Sequence, residues 1–188
     1  MELSTSLSQT GEVSGEDIFL VGPKHSGKTS AGKALAVLCS RDFIDLDDLI
    51  AQRTGKTPRE LYNDSPEIFR EAEADALEAL VKSRVKGRII ATGGGVIDNS
   101  RAKAMLKNEA LLVYLELPAG SSWRRITNSG VLPPFLKTNN PEETHRVLHE
   151  QRSAAYCELA KIIIKAENKN PEEIANEILN LLRNNIES

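Results

Sequence analysis

The chain has 188 residues, of which 40% are hydrophobic and 27% charged, and its formal net charge at pH 7 is −3. This size and composition fit one compact domain with its own core, and they exclude disordered, collagen-like and disulfide-scaffold proteins. The slight negative charge and the aromatic content of 4% provide neither a general positive field nor stacking platforms for nucleic acid. Apolar runs stay far below the roughly 20 residues of a membrane-spanning helix. We therefore expect a soluble protein with no nucleic-acid and no membrane partner.

The start of the chain and its two cysteines bear on organisation and compartment. Residues 1–17 lack the basic and apolar regions of a secretory signal and contain little apolar material, so a flexible leader is predicted there, followed by a single domain over 18–188. Cys39 and Cys157 are too few to form a disulfide framework. We expect both to be buried, inert thiols in a cytoplasmic, monomeric protein.

Short apolar runs alternate along the chain with longer stretches of helical spacing, which is typical of βαβ units around a parallel sheet. Strands are predicted at 18–21, 42–44, 88–92, 111–115 and 161–164. Helices are predicted over 29–38, 48–54, 67–85, 99–107 and 121–127, and two more begin at Pro141 and Pro171. At both prolines, two acids follow and suit the first turn of a helix. The expected fold is a three-layer α/β/α sandwich with a five-stranded parallel sheet.

A phosphate-binding motif joins the first predicted strand to the first predicted helix. Residues 22–29 read G-P-K-H-S-G-K-T and match G-x-x-x-x-G-K-S/T in the strand-loop-helix context that distinguishes phosphate loops from chance matches. Backbone N–H groups of such a loop surround the β-phosphate, its lysine bridges phosphate oxygens, and its last hydroxyl can hold Mg²⁺. The motif predicts a nucleotide-binding fold of the phosphate-loop NTPase type. The predicted nucleotide-binding residues are Gly22, Pro23, Lys24, His25, Ser26, Gly27, Lys28, Thr29 and Ser30.

Candidate residues for an acceptor substrate follow the next two strands. Asp45 and Asp47 stand two residues apart at the end of the second strand, and carboxyl ends of parallel strands are where open α/β sheets bind ligands. Either acid could instead be the N-cap of the following helix. Arg70 lies in a predicted helix, and the three glycines at 93–95 after the third strand predict a close backbone approach. Residues 127–140, rich in glycine, proline and asparagine, have the composition of a long loop, and we predict a lid there.

In this order and spacing the motifs resemble those of the shikimate kinase family, over about 18–182. The resemblance rests on the phosphate loop, F-x-D-x-D at 43–47, G-K-T at 55–57 before Leu61 and Tyr62, F-R-x-x-E at 69–73, the triple glycine and R-x-x-x-Y at 152–156. It implies transfer of the γ-phosphoryl group of ATP to the 3-hydroxyl of shikimate, a step toward chorismate and the aromatic amino acids. ATP and Mg²⁺ are the implied cofactors.

The resemblance also implies a role for each matched residue. Lys28 and Asp47 would be catalytic, with Asp47 orienting or deprotonating the attacking hydroxyl. Thr29 and Asp45 would support Mg²⁺, the latter through water. The residues implied to bind the substrate are Asp47, Arg70, Gly93, Gly94, Gly95 and Arg152, the two arginines at its carboxylate. Arg125 and Pro171 would lie against the adenine. Tyr62 and Phe69 would either wall the acceptor pocket or belong to the core.

The chain departs from the family pattern in three places. The family lid carries an arginine that reaches the transferred phosphate, and here Leu132 or Pro133 takes its place, with Lys137 as a candidate substitute charge. His25 replaces a glycine of the phosphate loop, so its ring is expected to point outward, and Ser65-Pro66 replaces Gly-Glu. These departures keep two alternatives open. One is a kinase of another small hydroxy acid such as gluconate; the other is a nucleotide-binding protein that has lost catalysis and acts as a regulator or binding partner.

Overall fold

The structure is a computed structural model that describes residues 15–109 and 111–184. Its strands are β1 (Ile18–Val21), β2 (Phe43–Asp45), β3 (Ile89–Ala91), β4 (Leu111–Glu116) and β5 (Ile162–Lys165). Within the described residues they form one sheet in the order β2-β3-β1-β4-β5, and all neighbouring strands are parallel. The predicted five-stranded parallel sheet is confirmed. Each strand lies within two residues of its predicted position.

Helices connect the strands and cover both faces of the sheet. They are α1 (Lys28–Cys39), α2 (Leu46–Thr54), α3 (Pro58–Asp64), α4 (Pro66–Val81), α5 (Ser100–Glu109), α6 (Ala119–Asn128), α7 (Pro141–Leu159) and α8 (Pro171–Asn184). Single 3₁₀ turns cover Val96–Asp98 and Pro134–Leu136. Helix α3 was not predicted. Its signal is a capping box, in which Thr57 and Glu60 exchange hydrogen bonds around Pro58.

Two apolar layers form the core, one on each face of the sheet. Along β1, Ile18 and Leu20 face the layer that contains α1 and α8, whereas Phe19 and Val21 face the layer that contains α4, α5 and Tyr156 of α7. Successive side chains of a strand point to opposite faces, so a strand covered on both faces is apolar throughout. This is why the inner strands β1, β3 and β4 were recognisable as apolar runs, whereas Ile163 of the edge strand β5 is exposed. The strand order β2-β3-β1 and the parallel direction of these strands place their carboxyl ends side by side.

The domain extends slightly beyond the predicted boundary at residue 18. Residues 1–14 of the predicted leader lie outside the described residues. Asp17, its last residue, is buried and paired with Arg88, so contacts of the domain begin before residue 18.

Cys39 is half-buried and Cys157 is exposed, which corrects the expectation that both are buried. On that turn of α7, the inward-facing residue is Tyr156 rather than Cys157. Among the described helices, none combines the length and apolarity needed to cross a bilayer.

Candidate functional site

A cavity of about 360 Å³ opens at the carboxyl ends of β1, β2 and β3. It brings together most of the predicted site residues: Lys24, His25, Lys28, Thr29, Asp45, Asp47, Arg70, Gly93, Gly94, Gly95 and Arg152. Its walls also contain residues without a predicted catalytic or binding role: Pro58, Arg59, Tyr62, Phe69, Glu73, Thr92, Asp98, Pro133, Pro134 and Phe135. Of the two positions considered for Tyr62 and Phe69, the pocket wall or the core, both rings therefore lie in the pocket wall.

The phosphate loop lies between β1 and α1 and is held together by Lys28. The Lys28 ammonium group donates to the carbonyl oxygens of Gly22, at 2.9 Å, and Pro23, at 2.7 Å. Burial lowers the pKa of Lys28 to about 8, although the charges of Asp47 and Asp45 oppose that effect. No side chain caps the N-terminus of α1, so the first N–H groups of this helix are available to an anion. The loop has the geometry of a phosphate cradle.

Glycine is required at the start of this loop. Gly22 has a φ of +142°, and a Cβ placed there would lie 2.6 Å from the carbonyl oxygen of Leu115. His25 also has a positive φ, of 61°, and its side chain is exposed at the rim of the cavity. Partial burial, together with the charges of Lys24, Lys28 and Arg125, lowers the pKa of His25. The imidazole therefore adds little positive charge to the loop at neutral pH.

Several residues predicted to bind the nucleotide do not line this cavity. Arg125 on α6 donates to the carbonyl oxygen of His25 at 2.8 Å, which fixes α6 against the loop. Pro171 begins α8, and Ile174 of that helix lies 4.0 Å from the position of a Cβ on Gly27. Both predicted adenine contacts thus belong to elements next to the loop. The remaining predicted nucleotide residues outside the cavity wall are Gly22, Pro23, Ser26, Gly27 and Ser30.

Thr29 and Asp45 form an oxygen-rich pair at the mouth of the loop. The Thr29 hydroxyl donates to Oδ2 of Asp45 at 2.7 Å, and Oδ1 of Asp45 accepts from the backbone N–H of Asp47 at 3.0 Å. Asp45 is therefore the N-cap of α2, and it also faces the phosphate loop. Hydroxyl and carboxylate oxygens suit Mg²⁺, which takes only one or two protein ligands and completes its shell with phosphate and water. The donor set fits the implied metal.

Asp47 and Glu73 both lie beside Gly93, on the same side of the triple-glycine loop. A Cβ on Gly93 would lie 3.4 Å from an oxygen of each acid, so the glycine leaves room for both carboxylates. Partial loss of water around the carboxylate, reinforced by the charge of Asp45, raises the pKa of Asp47, although its side chain stays open to the cavity. Burial raises the pKa of Glu73 to about 7, while a hydrogen bond from the Asn99 amide, at 3.2 Å, opposes the shift. These acids have the environment of proton-accepting groups.

Glu73 belongs to the F-R-x-x-E motif, but no role was predicted for it. Its side chain is only 2% exposed, on the same buried face of α4 as Ala76 and Leu77. An acid on the apolar face of an amphipathic helix is the signal that could have identified it, since buried carboxylates need a partner or a function.

Gly94 and Gly95 have different neighbours from Gly93. A Cβ on Gly94 would lie 2.8 Å from the backbone nitrogen of Lys24, so the triple-glycine loop packs directly on the phosphate loop. A Cβ on Gly95 would lie 3.1 Å from Nη2 of Arg152. The three consecutive glycines therefore let one backbone segment contact the acids, the phosphate loop and an arginine.

The two arginines predicted to bind the substrate both line this cavity, but only Arg152 forms an ion pair among the described residues. Nη2 and Nε of Arg152 donate to Oδ2 of Asp98 at 2.6 and 3.1 Å, and the ring of Phe135 lies 5.0 Å from the Arg152 Cζ atom. Arg70 is exposed to the cavity, and its backbone carbonyl accepts from Asn99. Asp98, which the sequence did not indicate, thus engages one edge of the Arg152 guanidinium. The other edge remains for a ligand carboxylate.

The predicted lid closes one side of the cavity with apolar residues. Helix α6 extends to Asn128, and the 3₁₀ turn within the lid places Phe135 in the cavity wall and buries Leu136. Lys137 is exposed and does not line the cavity, so the structure does not support it as a substitute charge. One arginine of this wall, Arg59 of α3, donates a hydrogen bond to the lid backbone.

Comparisons with known proteins agree with this geometry. The family model for shikimate kinase matches residues 24–183. A shikimate kinase of Acinetobacter baylyi is 35% identical over 167 residues, which are 88% of this chain and 91% of that protein. A shikimate kinase of a Marinomonas species is 30% identical over 171 residues, 90% of this chain and 93% of that protein.

The structural comparison gives the same result. A solved structure of shikimate kinase from Acinetobacter baumannii in complex with shikimate matches with a TM-score of 0.82 and 33% identity, covering 92% of this chain and 96% of that one. The chain belongs to the shikimate kinase family.

Proposed function

We propose that the chain transfers the γ-phosphoryl group of ATP to the 3-hydroxyl of shikimate, giving shikimate 3-phosphate and ADP, on the route to chorismate and the aromatic amino acids. The observation that carries the proposal is a single cavity that joins the phosphate loop to Asp47 and to two arginines, Arg70 and Arg152. Membership of the shikimate kinase family supports the choice of acceptor, as does the likeness to a relative solved in complex with shikimate.

In this proposal the phosphate loop binds the donor. The uncapped N-terminus of α1 and the Lys28 ammonium group contact the β- and γ-phosphates of ATP. Thr29 and Asp45 would hold Mg²⁺, since their oxygens already lie together at the mouth of the loop. When bound, this ion neutralises charge on the phosphate oxygens. Arg125 and Pro171 would contact the adenine beyond the loop.

The acceptor binds on the opposite side of the cavity. The Arg70 and Arg152 guanidinium groups bind the shikimate carboxylate, and backbone groups of Gly93, Gly94 and Gly95 contact its ring. Asp47 accepts hydrogen bonds from the ring hydroxyls and takes the proton of the attacking oxygen. Its raised pKa suits that role, because a base accepts a proton more readily as its pKa approaches the working pH.

We further propose that the protein acts as a cytoplasmic monomer, with a small-molecule substrate and with no nucleic-acid or membrane partner. Its two cysteines are unpaired, which suits a reducing compartment. Among the described residues, the large apolar side chains that are exposed are spread over several elements, among them Val37 of α1, Ile68 of α4 and Ile163 of β5.

The proposal is tested by ADP release with Mg²⁺ and ATP, using shikimate, gluconate and nucleoside monophosphates as acceptors. We expect turnover with shikimate, and a kcat for Asp47→Asn that is lower by about 10²- to 10⁴-fold, as for loss of a general base. Asp48→Asn is the matched control, because Asp48 is the next residue on α2, is exposed and does not line the cavity. Its kcat should be unchanged.

Other outcomes would favour the alternatives. Turnover with gluconate and not with shikimate would assign a different acceptor to the same fold. Measurable ATP binding without turnover of any acceptor would contradict the kinase proposal and favour a regulatory role.

A further inference from the structure

We propose that Arg59 of α3 is a catalytic residue of this enzyme and supplies the cation that contacts the transferred γ-phosphoryl group, in place of a charge from the lid. The inference rests on the kinase function proposed above. Arg59 lies outside the phosphate loop and outside the sequence motifs to which roles were assigned.

In the cavity wall, the lysines and arginines other than Arg59 already have a partner or a proposed role. Lys24 and Lys28 belong to the phosphate loop, and Arg152 is paired with Asp98. Arg70 is proposed to bind the substrate carboxylate. Among the described residues, Arg59 forms no ion pair with an acid. Within the part of the chain that the structure describes, its charge is therefore not neutralised by a carboxylate.

The first turn of α3 fixes the position of Arg59. Thr57 accepts from the Glu60 N–H at 3.3 Å, and the Glu60 carboxylate accepts from the Thr57 N–H at 2.7 Å. This capping box occupies Glu60, the acid next to Arg59 in sequence. One turn later, the Tyr62 ring lies 6.0 Å from the ring of Phe69 and 6.5 Å from that of Phe135. Helix α3 is thus packed between α4 and the lid.

A hydrogen bond connects Arg59 to the lid itself. Nη2 of Arg59 donates to the backbone carbonyl of Leu132 at 3.4 Å. The lid residues next to the cavity here, Pro133, Pro134 and Phe135, carry no charge. The lid therefore contributes a backbone acceptor that orients the guanidinium, while α3 contributes the charge. Four further N–H groups of the guanidinium remain for phosphate oxygens.

The chemistry of phosphoryl transfer gives such a cation a defined task. In the reaction, the bond between the shikimate 3-oxygen and the γ-phosphorus forms, the bond from that phosphorus to the β,γ-bridging oxygen breaks, and the hydroxyl proton passes to Asp47. Arg59 transfers no atom. It stabilises negative charge on the equatorial phosphoryl oxygens, for which the planar guanidinium fork is better suited than an ammonium group.

The first test compares Arg59→Ala, Arg59→Lys and Lys137→Ala in the full chain, by steady-state kinetics with shikimate and ATP. We expect kcat of Arg59→Ala to fall by about 10²- to 10³-fold, with the KM for shikimate within a few-fold of the parent value. Arg59→Lys should recover only part of the rate. Lys137→Ala is the matched control, because it removes an exposed cation of the lid outside the cavity.

Two further measurements separate a catalytic role from a structural one. Millimolar guanidinium chloride should raise the rate of Arg59→Ala and not that of the parent enzyme. Binding of ADP with Mg²⁺ should be the same in both proteins, whereas aluminium fluoride, which mimics the transferred phosphoryl group, should tighten ADP binding more in the parent than in Arg59→Ala. This second measurement needs no turnover.

The outcomes distinguish the two proposals. The role of Arg59 would be overturned if Arg59→Ala had the same kcat as the parent enzyme, or if the substitution changed only the KM for shikimate. It would also be overturned if aluminium fluoride tightened ADP binding equally in both proteins. A parent enzyme that does not phosphorylate shikimate, but in which Arg59 still governs the aluminium fluoride effect, would refute the acceptor and retain Arg59 as the phosphoryl-binding cation. Arg59 is exposed, so we expect its variants to unfold at the parent urea midpoint.

Discussion

Lys28 is a buried cation whose hydrogen-bond acceptors in this structure are neutral oxygens. The carbonyls of Gly22 and Pro23 and the Ser26 hydroxyl accept its three N–H groups. Such acceptors do not offset the loss of water in full, and burial lowers the pKa of Lys28 to about 8. A bound phosphate would supply the missing negative charge and restore the protonated form.

This predicts a pH dependence of nucleotide affinity. Below pH 8 the ammonium form predominates and the affinity for ATP should be constant, whereas above about pH 8 the lysine is neutral in the free protein and the affinity should fall, approaching tenfold per pH unit. Calorimetric titration with ATP and Mg²⁺ between pH 7 and 10 measures this change in affinity. Lys33→Met, which removes an exposed lysine of α1, should follow the parent curve. A flat affinity up to pH 10 would contradict the assignment.

At the scale of elements, the site depends on backbone segments that pack more closely than side chains allow. The triple-glycine loop after β3 contacts the phosphate loop through Gly94, where a Cβ would lie 2.8 Å from the Lys24 nitrogen. Both partners in that contact are backbone, so neither can move aside as a flexible side chain does. The two loops are therefore packed backbone against backbone in the wall of the cavity.

We predict that Gly94→Ala weakens both the fold and nucleotide binding. Displacing the phosphate loop should cost about 1–3 kcal/mol of unfolding free energy, as overpacking does, and raise the Kd for ATP. Gly120→Ala is the matched control, because Gly120 lies in α6 with no atom within 4 Å of its Cβ position, and alanine there should be neutral or stabilise by up to about 1 kcal/mol. Urea unfolding and ATP titration measure both effects. Equal behaviour of the two variants would show that the contact is not tight.

At the scale of the whole molecule, a buried ion pair joins the start of the described chain to the sheet. Nη2 and Nε of Arg88 donate to Asp17 at 2.5 and 3.1 Å, and the Arg88 backbone N–H donates at 2.9 Å. Burial alone would raise the pKa of Asp17, but the hydrogen bonds and charge of Arg88 outweigh it and lower the pKa. The pair holds the segment before β1 beside the start of β3.

Asp17→Asn should therefore destabilise the fold by about 3–5 kcal/mol, because it leaves the buried Arg88 guanidinium unpaired. The native pKa of Asp17 lies below its unfolded value. Its contribution to the free energy of unfolding is therefore fully present above about pH 5 and is lost as the pH falls through the native pKa. Urea unfolding at pH 7 and pH 3 should show the difference between parent and variant shrinking at the lower pH.

Asp64→Asn, at the exposed Lys56–Asp64 pair, is the control and should change stability by less than about 1 kcal/mol. A loss at Asp64 as large as that at Asp17 would contradict the role of burial.

Local patterns in the sequence predicted most of the fold and the centre of the site. Strands buried on both faces are continuous apolar runs, helices repeat their apolar residues every three to four positions, and the phosphate loop is one contiguous motif. Such features depend on neighbours within a few residues, so they can be inferred without knowing the rest of the structure. Helix α3 was missed although its capping box, Thr57 to Glu60, is equally local.

Only the tertiary structure decided how distant segments complete the cavity. Asp98 meets Arg152 from 54 residues away, and Arg59 meets the lid carbonyl of Leu132 from 73 residues away. Neither contact follows from periodicity or composition, because it depends on the strand order and on the packing of α3 against the lid. The sequence by itself determined an α/β fold with a phosphate loop and indicated most of the candidate residues that share its cavity. Long-range packing decided which charged side chains share that cavity, since contacts of this kind leave no local pattern in a single chain.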